Sequence, residues 1–162
     1  MRHSMARLTP RFSANRTVQE YAEQYYLPAL SAYRKRAAEK GAMGARIVNW
    51  RNTLEQKWTG LRFGEATVET ADGKHTFEVQ MFLDELDPDM VQLELYADEN
   101  GENPSSRLEM TRLRPLIGSV NGYVYGASVP ATRPANVYTP RVIPYFPGVS
   151  VPLEASPITW QT

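Results

Sequence analysis

Thr76-Phe77-Glu78-Val79-Gln80-Met81-Phe82-Leu83 decides the fold. Phe77, Val79, Met81 and Leu83 alternate with Thr76, Glu78 and Gln80, the period of a strand with one face in a core. Upstream, Ala66 and Val68 lead into Asp72-Gly73, a pair that tolerates the positive φ of a tight hairpin turn. Downstream, Asp87-Pro88-Asp89 turns the chain, and Val91, Leu93 and Leu95 alternate with Gln92 and Glu94. A polar loop over 98–106 precedes an expected strand at 107–113. Asn121-Gly122 predicts another hairpin turn, followed by Tyr123, Tyr125, Ala127 and Val129 on one core-facing side. A final strand near 137–143 carries Pro140, with Pro144 just beyond. Proline gives no N–H to a ladder, so an edge or bulged strand is expected. Six or seven short strands at this spacing predict an antiparallel β-sandwich of immunoglobulin-like type.

Ahead of Gly60 the period is helical. Thr17-Val18-Gln19-Glu20 fits a capping box, and Val18, Tyr21, Ala22, Tyr25 and Ala29 make one apolar stripe. Pro28 removes a backbone hydrogen bond and should kink or divide this helix. Its charged continuation, 31–40, ends at Gly41, a natural carboxyl-terminal cap. A second helix is expected over 45–58, where Ile47, Trp50, Leu54, Trp58 and Leu61 put two tryptophans on a buried face. The predicted class is α+β: two amino-terminal helices within 1–60, then the β-sandwich over 61–162.

Composition excludes several functions. The 162 residues carry 18 basic and 18 acidic side chains, without the basic excess that phosphate neutralisation demands of a nucleic-acid binder. No nucleic-acid partner is expected. With no cysteine, disulfide scaffolds, thiolate zinc sites and cysteine nucleophiles are excluded. Residues 1–10 lack an apolar run of signal-peptide length, and no stretch approaches the roughly 20 apolar residues of a membrane span. A soluble cytoplasmic protein without a membrane partner is expected.

The candidate chemistry is sparse. His3 and His75 are the only histidines, and His75, after a turn at the mouth of a strand, reads as solvated and structural. One such base, with no nucleophile elbow around any serine, does not make a Ser-His-Asp site. Asp84, Glu85, Asp87 and Asp89 form the densest acidic cluster. Pro88 interrupts any calcium-loop pattern, so a strand end and an Asx-Pro turn are the plainer reading. Gly118, Gly122 and Gly126 surround a hairpin with no helix following, so they cradle no phosphate. Arg34, Lys35 and Arg36 are followed by Glu39 and Lys40, a solvated charged face. No catalytic, cofactor-binding or metal residue is assigned. The tyrosines leave one opening. A sandwich face can stack aromatics on sugar rings, and Tyr96 and Tyr138 are the candidate glycan contacts. Tyr96 shares the polar face of Gln92 and Glu94 and should be exposed, although inward packing is the commoner use of tyrosine.

The segment Phe12-Ser13-Ala14-Asn15-Arg16-Thr17-Val18-Gln19-Glu20-Tyr21-Ala22 resembles the last conserved helix of the glycogen and α-glucan phosphorylases. Its continuation, Glu23-Gln24-Tyr25-Tyr26-Leu27-Pro28, looks like the bacterial and archaeal branch, which carries an extra carboxyl-terminal region. Val91-Gln92-Leu93-Glu94-Leu95-Tyr96, Gly122-Tyr123-Val124-Tyr125 and Arg141-Val142-Ile143-Pro144 are similar to that region. The resemblance implies a parent that releases glucose 1-phosphate from α-1,4-glucan with inorganic phosphate, using pyridoxal phosphate on a lysine. That lysine's motif is absent here. Lys35, Lys40, Lys57 and Lys74 lie on charged helices or at turns, so the chain is expected to hold no cofactor and no family catalytic residue.

The resemblance therefore implies a structural or interaction module whose partner is the parent's catalytic domains; α-glucan is a second candidate partner, and whether the sandwich meets glycan or protein stays open. Separated from that parent, Val18, Tyr21 and Tyr25 would leave an apolar stripe that promotes self-association. Met1-Arg2-His3-Ser4-Met5 leads abruptly into the terminal helix, so a truncated gene model, gene fragment or cut version is expected. Two rivals of other classes are a free-standing glycan-binding sandwich and an autonomous hydrolase, the latter needing paired carboxylates across a cleft.

Overall fold

The computed structural model describes residues 14–101 and 103–162. His3 and the Phe12-Ser13 start of the phosphorylase-like motif lie outside the described residues. The chain forms two compact units divided between Arg46 and Ile47. The sequence period changes later, near Gly60, so the helical turns at 47–57 belong to the second unit.

Helix α1 spans Ala14–Tyr21. Thr17 is therefore inside a helix rather than at its cap, which corrects the capping-box expectation. A cap residue needs non-helical backbone of its own. Glu20 pairs instead with Arg16, one turn back, at 3.1 Å. A π-helical turn, Ala22–Tyr26, follows, and the Leu27 N–H bonds to the Ala22 carbonyl five residues behind. Pro28 cannot donate to the turn before it, and the widened turn stands immediately ahead of it in place of a sharp kink.

Helix α2 spans Leu27–Lys57 and is broken inside. Ala38 is extended, and Glu39, Lys40 and Gly41 take φ of 52°, 57° and 81°. Gly41 does sit in the left-handed region, but that region begins two residues earlier. Glu39 and Lys40 each pay about 1–2 kcal/mol for it. The helical part of the class is thus two stretches joined at this break.

Among its described residues, the second unit carries eight strands in two four-stranded antiparallel sheets. β1 (Arg62–Ala71), β2 (Lys74–Phe82), β6 (Gly122–Pro130) and β5 (Thr111–Pro115) form one sheet, in the order β1-β2-β6-β5. β4 (Ser106–Glu109), β3 (Val91–Ala97), β7 (Tyr138–Pro144) and β8 (Thr159–Trp160) form the other, in the order β4-β3-β7-β8. The first order is that of the immunoglobulin A-B-E-D sheet, and the second is its C-F-G sheet with one strand added beside C.

The inner faces follow the predicted alternation. Val79, Met81, Leu83, Leu93, Leu95 and Val142 are at most 1% exposed. Phe77 and Tyr138 join the two sheets edge to face at 5.8 Å. Asp72 and Gly73 take φ of 51° and 71°, as the two-residue β1–β2 hairpin requires. Asp87 caps the turn before β3 by accepting from the Asp89 N–H at 2.9 Å.

Three expectations about strands need correction. The strand expected at 107–113 is two strands in different sheets, and the chain crosses between them at Met110. Met110 is buried, and its N–H reaches the Leu93 carbonyl at 2.8 Å. Asn121-Gly122 is not a two-residue hairpin turn: Gly122 opens β6, and a loop over 116–121 intervenes. Asn121 earns its positive φ elsewhere, donating its amide to the Asp84 and Leu86 carbonyls at 2.9 and 2.7 Å. β7 is interior rather than an edge, although β8 borders it only at Arg141 and Val142. The short neighbour is what makes two prolines tolerable there.

Tyr125 is 5% exposed on the inner face of β6, and burial raises its hydroxyl above the ordinary tyrosine range. The folded state holds that proton more tightly, so this contribution to stability is present below the usual tyrosine pKa of about 10 and is lost as pH rises past it. Urea midpoints measured from pH 8 to 11 should fall above pH 10. The fall should be smaller in Tyr125→Phe; equal falls in both proteins would show that Tyr125 is not responsible.

Candidate functional site

The outer face of the β4-β3-β7-β8 sheet holds a buried ion pair set against two aromatic rings. β3 pairs with β7 in a register that sets Glu94 opposite Arg141 and Tyr96 opposite Thr139, and β8 sets Trp160 opposite Arg141. Arg141 donates to Glu94 Oε2 from Nε at 2.9 Å and from Nη2 at 2.6 Å. The two residues are 7% and 9% exposed. The guanidinium lies 4.3 Å from the Tyr96 ring centre and 5.1 Å from that of Trp160, and the two rings meet edge to face at 5.4 Å. Stacked aromatic rings shield the ion pair from water, where cation–π contacts and charge-assisted hydrogen bonds both strengthen. The Tyr96 hydroxyl donates to Asp98 at 2.8 Å, and that bond raises its pKa.

Tyr96 is thus half-buried at the rim of an aromatic and charged platform, with Trp160 40% exposed beside it. Tyr138 is not part of this platform. It lies on the opposite, inner face of the same sheet, against Phe77. The two candidate glycan contacts are not brought together.

His75 is buried, which corrects the solvated reading. Nε2 lies 2.9 Å from the Arg133 carbonyl, which can only accept, so Nε2 carries a proton. Nδ1 lies 2.7 Å from the Thr70 hydroxyl across the β1–β2 hairpin. Arg133, itself buried, donates to the carbonyls of Asp98 and Pro104 at 3.3 and 2.6 Å. Both ring nitrogens are committed to fastening loops.

The acidic cluster disperses. Glu85 pairs with Lys57 at 3.1 Å, Asp87 caps its turn, and Asp89 pairs with Arg112 at 3.3 Å. Asp84 packs so close to Gly60 that a Cβ there would meet its Oδ2 at 2.5 Å. Among the described residues, no group of three or more His, Asp or Glu is placed to hold a metal ion.

Lys35, Lys40 and Lys74 are exposed, and Lys57 is paired with Glu85. A cleft of about 400 Å³ between residues 51–58 and 153–157 is lined by Trp58, Leu54, Arg51 and Glu55, and contains no lysine, Tyr96 or Tyr138. No helix among the described residues is long and apolar enough to cross a membrane.

No family model matches the chain. A maltodextrin phosphorylase of Thermococcus litoralis is 26% identical over 151 residues, covering 90% of this chain. This is a phosphorylase-related chain. It spans 18% of the length of that relative. A glycogen phosphorylase of Mycobacterium tuberculosis is 28% identical over 65 residues, covering 40% of this chain and 8% of its own length. A glycogen phosphorylase of Mycobacterium bovis matches to the same extent. Phosphorylase relatedness sits with the α+β sandwich expected from the residues. The Glu94–Arg141 pair was missed from sequence because alternation gives a residue's face but not its neighbour across the sheet.

Proposed function

We propose that this phosphorylase-related chain is a non-catalytic module of an α-glucan phosphorylase, taken from its carboxyl-terminal part. Its first helix docks on the catalytic domains of a cytoplasmic parent that releases glucose 1-phosphate from α-1,4-glucan. Pyridoxal phosphate belongs to those domains. The observation that carries the reading is the apolar surface of the first unit: Val18, Tyr21, Tyr25, Tyr26 and Leu27 are each 55–69% exposed. Five such side chains within three turns are more than scattered surface apolars and suit burial against a partner. The similarity to maltodextrin phosphorylase over nearly the whole chain supports the choice of partner.

The test uses the Thermococcus litoralis enzyme shortened to lack the segment that aligns with this chain. Titration calorimetry should show binding of the present chain, weakened at least tenfold by Tyr21→Glu with Tyr25→Glu. The chain alone, given maltodextrin and inorganic phosphate, should release no glucose 1-phosphate. Release of that product, or absence of binding, would overturn the proposal. A glycan-binding module is the second reading, favoured by the half-exposed Trp160 beside Tyr96. It requires maltodextrin affinity that Trp160→Ala removes.

A further inference from the structure

We propose that β1 is a docking edge for a second copy of this chain, joining two β1-β2-β6-β5 sheets into one continuous antiparallel sheet. β1 runs the full Arg62–Ala71 span with β2 as its only backbone partner among the described residues. Eight of its ten residues are exposed, so nothing covers its far side there. Edge strands are commonly blunted by lysine, proline or bulges; β1 has no lysine or proline, and its one irregularity lies between Phe63 and Ala66.

The register is self-complementary. Ala71 and Lys74 flank the two-residue turn and form its hydrogen-bonded pair, so alternation turns the N–H and C=O of Val68 away from β2. The irregularity between Phe63 and Ala66 preserves this for Phe63, opposite Met81. Phe63 and Val68 both oppose buried residues, Met81 and Phe77, and so share the inner face.

A two-fold axis between Glu65 and Ala66 therefore sets Phe63 of one copy against Val68 of the other, with both backbones free to exchange hydrogen bonds. The same axis sets Arg62 against Glu69 on the outer face, twice per dimer. Neither has an ion-pair partner among the described residues; Arg62 rests 4.9 Å over the Phe82 ring. Opposite charges directly across a strand pair stabilise it, and like charges oppose it.

The test is sedimentation of the full chain over a wide concentration range, in a Tyr21→Glu, Tyr25→Glu background that removes association through the helix. A reversible dimer is expected. Glu69→Arg should weaken it about tenfold or more by facing two Arg pairs, and adding Arg62→Glu should restore it. A monomer at all concentrations overturns the proposal. So does a dimer indifferent to Glu69→Arg, or one that the double reversal fails to rescue. This inference does not depend on the phosphorylase reading, whose own test is binding to the shortened enzyme.

Discussion

Arg141→Met is expected to destabilise the second unit by about 3–5 kcal/mol, most of the margin that holds a small domain folded. The side chain is 7% exposed, and its Nε and Nη2 both donate to Glu94 Oε2. Methionine fills similar space between Tyr96 and Trp160 but leaves a carboxylate that is 9% exposed without its counter-charge. The loss comes from that abandoned charge more than from the bonds themselves. Replacing both partners, as Glu94→Leu with Arg141→Met, should therefore recover much of the loss. Urea denaturation of the single and double variants measures both figures. A single variant within about 1 kcal/mol of the parent would mean that water reaches Glu94 far better than its burial implies.

That pair also marks how far the sequence could be read. β2 and β3 were legible because one face of each is dry. Phe77, Val79 and Met81, and then Val91, Leu93 and Leu95, could alternate for no other reason. Asp72-Gly73 was legible because few residue pairs accept positive φ twice in succession. Contacts made across the fold were not. Glu94 and Arg141 are 47 residues apart, and only the β3–β7 register makes them neighbours.

His75 reads as solvated because it follows a turn at the mouth of a strand. Arg133, which gives it a carbonyl, approaches from 58 residues away. Met110 looked like one position in a continuous strand because the pattern on either side is the same. The crossing between sheets is set by which neighbours are available, and that information is nonlocal. Tyr96 and Tyr138 were both aromatic strand residues; parity in β3 and β7 separates them, once the two strands are known to be partners.

The position of the domain edge has the largest consequence. A chain shortened to 61–162, the boundary suggested by the change of period, is expected to be unfolded or aggregated, whereas 47–162 should fold with the stability of the second unit. The difference lies in one helical face. Ile47, Trp50 and Leu54 are 7%, 2% and 2% exposed. The Trp50 ring lies 5.5 Å from Phe146, and its Nε1 points at the Met90 carbonyl at 3.4 Å. One turn after Leu54, Trp58 donates to the Thr159 hydroxyl at 3.0 Å, in the strand that carries Trp160. Burying three such side chains contributes about 1.5–3 kcal/mol each, a sum that rivals the whole stability of a small domain.

Cutting at residue 60 removes all of them and bares Phe146 and the rim of β3. Trp50→Ala in the full chain is the milder version and should cost about 3–5 kcal/mol. Amide chemical-shift dispersion of the two shortened chains separates the cases. A dispersed, cooperative 61–162 would mean that the two sheets close their own core and that the helix is an accessory. The 2% exposure of both Trp50 and Leu54 argues for the opposite, because side chains are not dried to that extent by a loosely held helix.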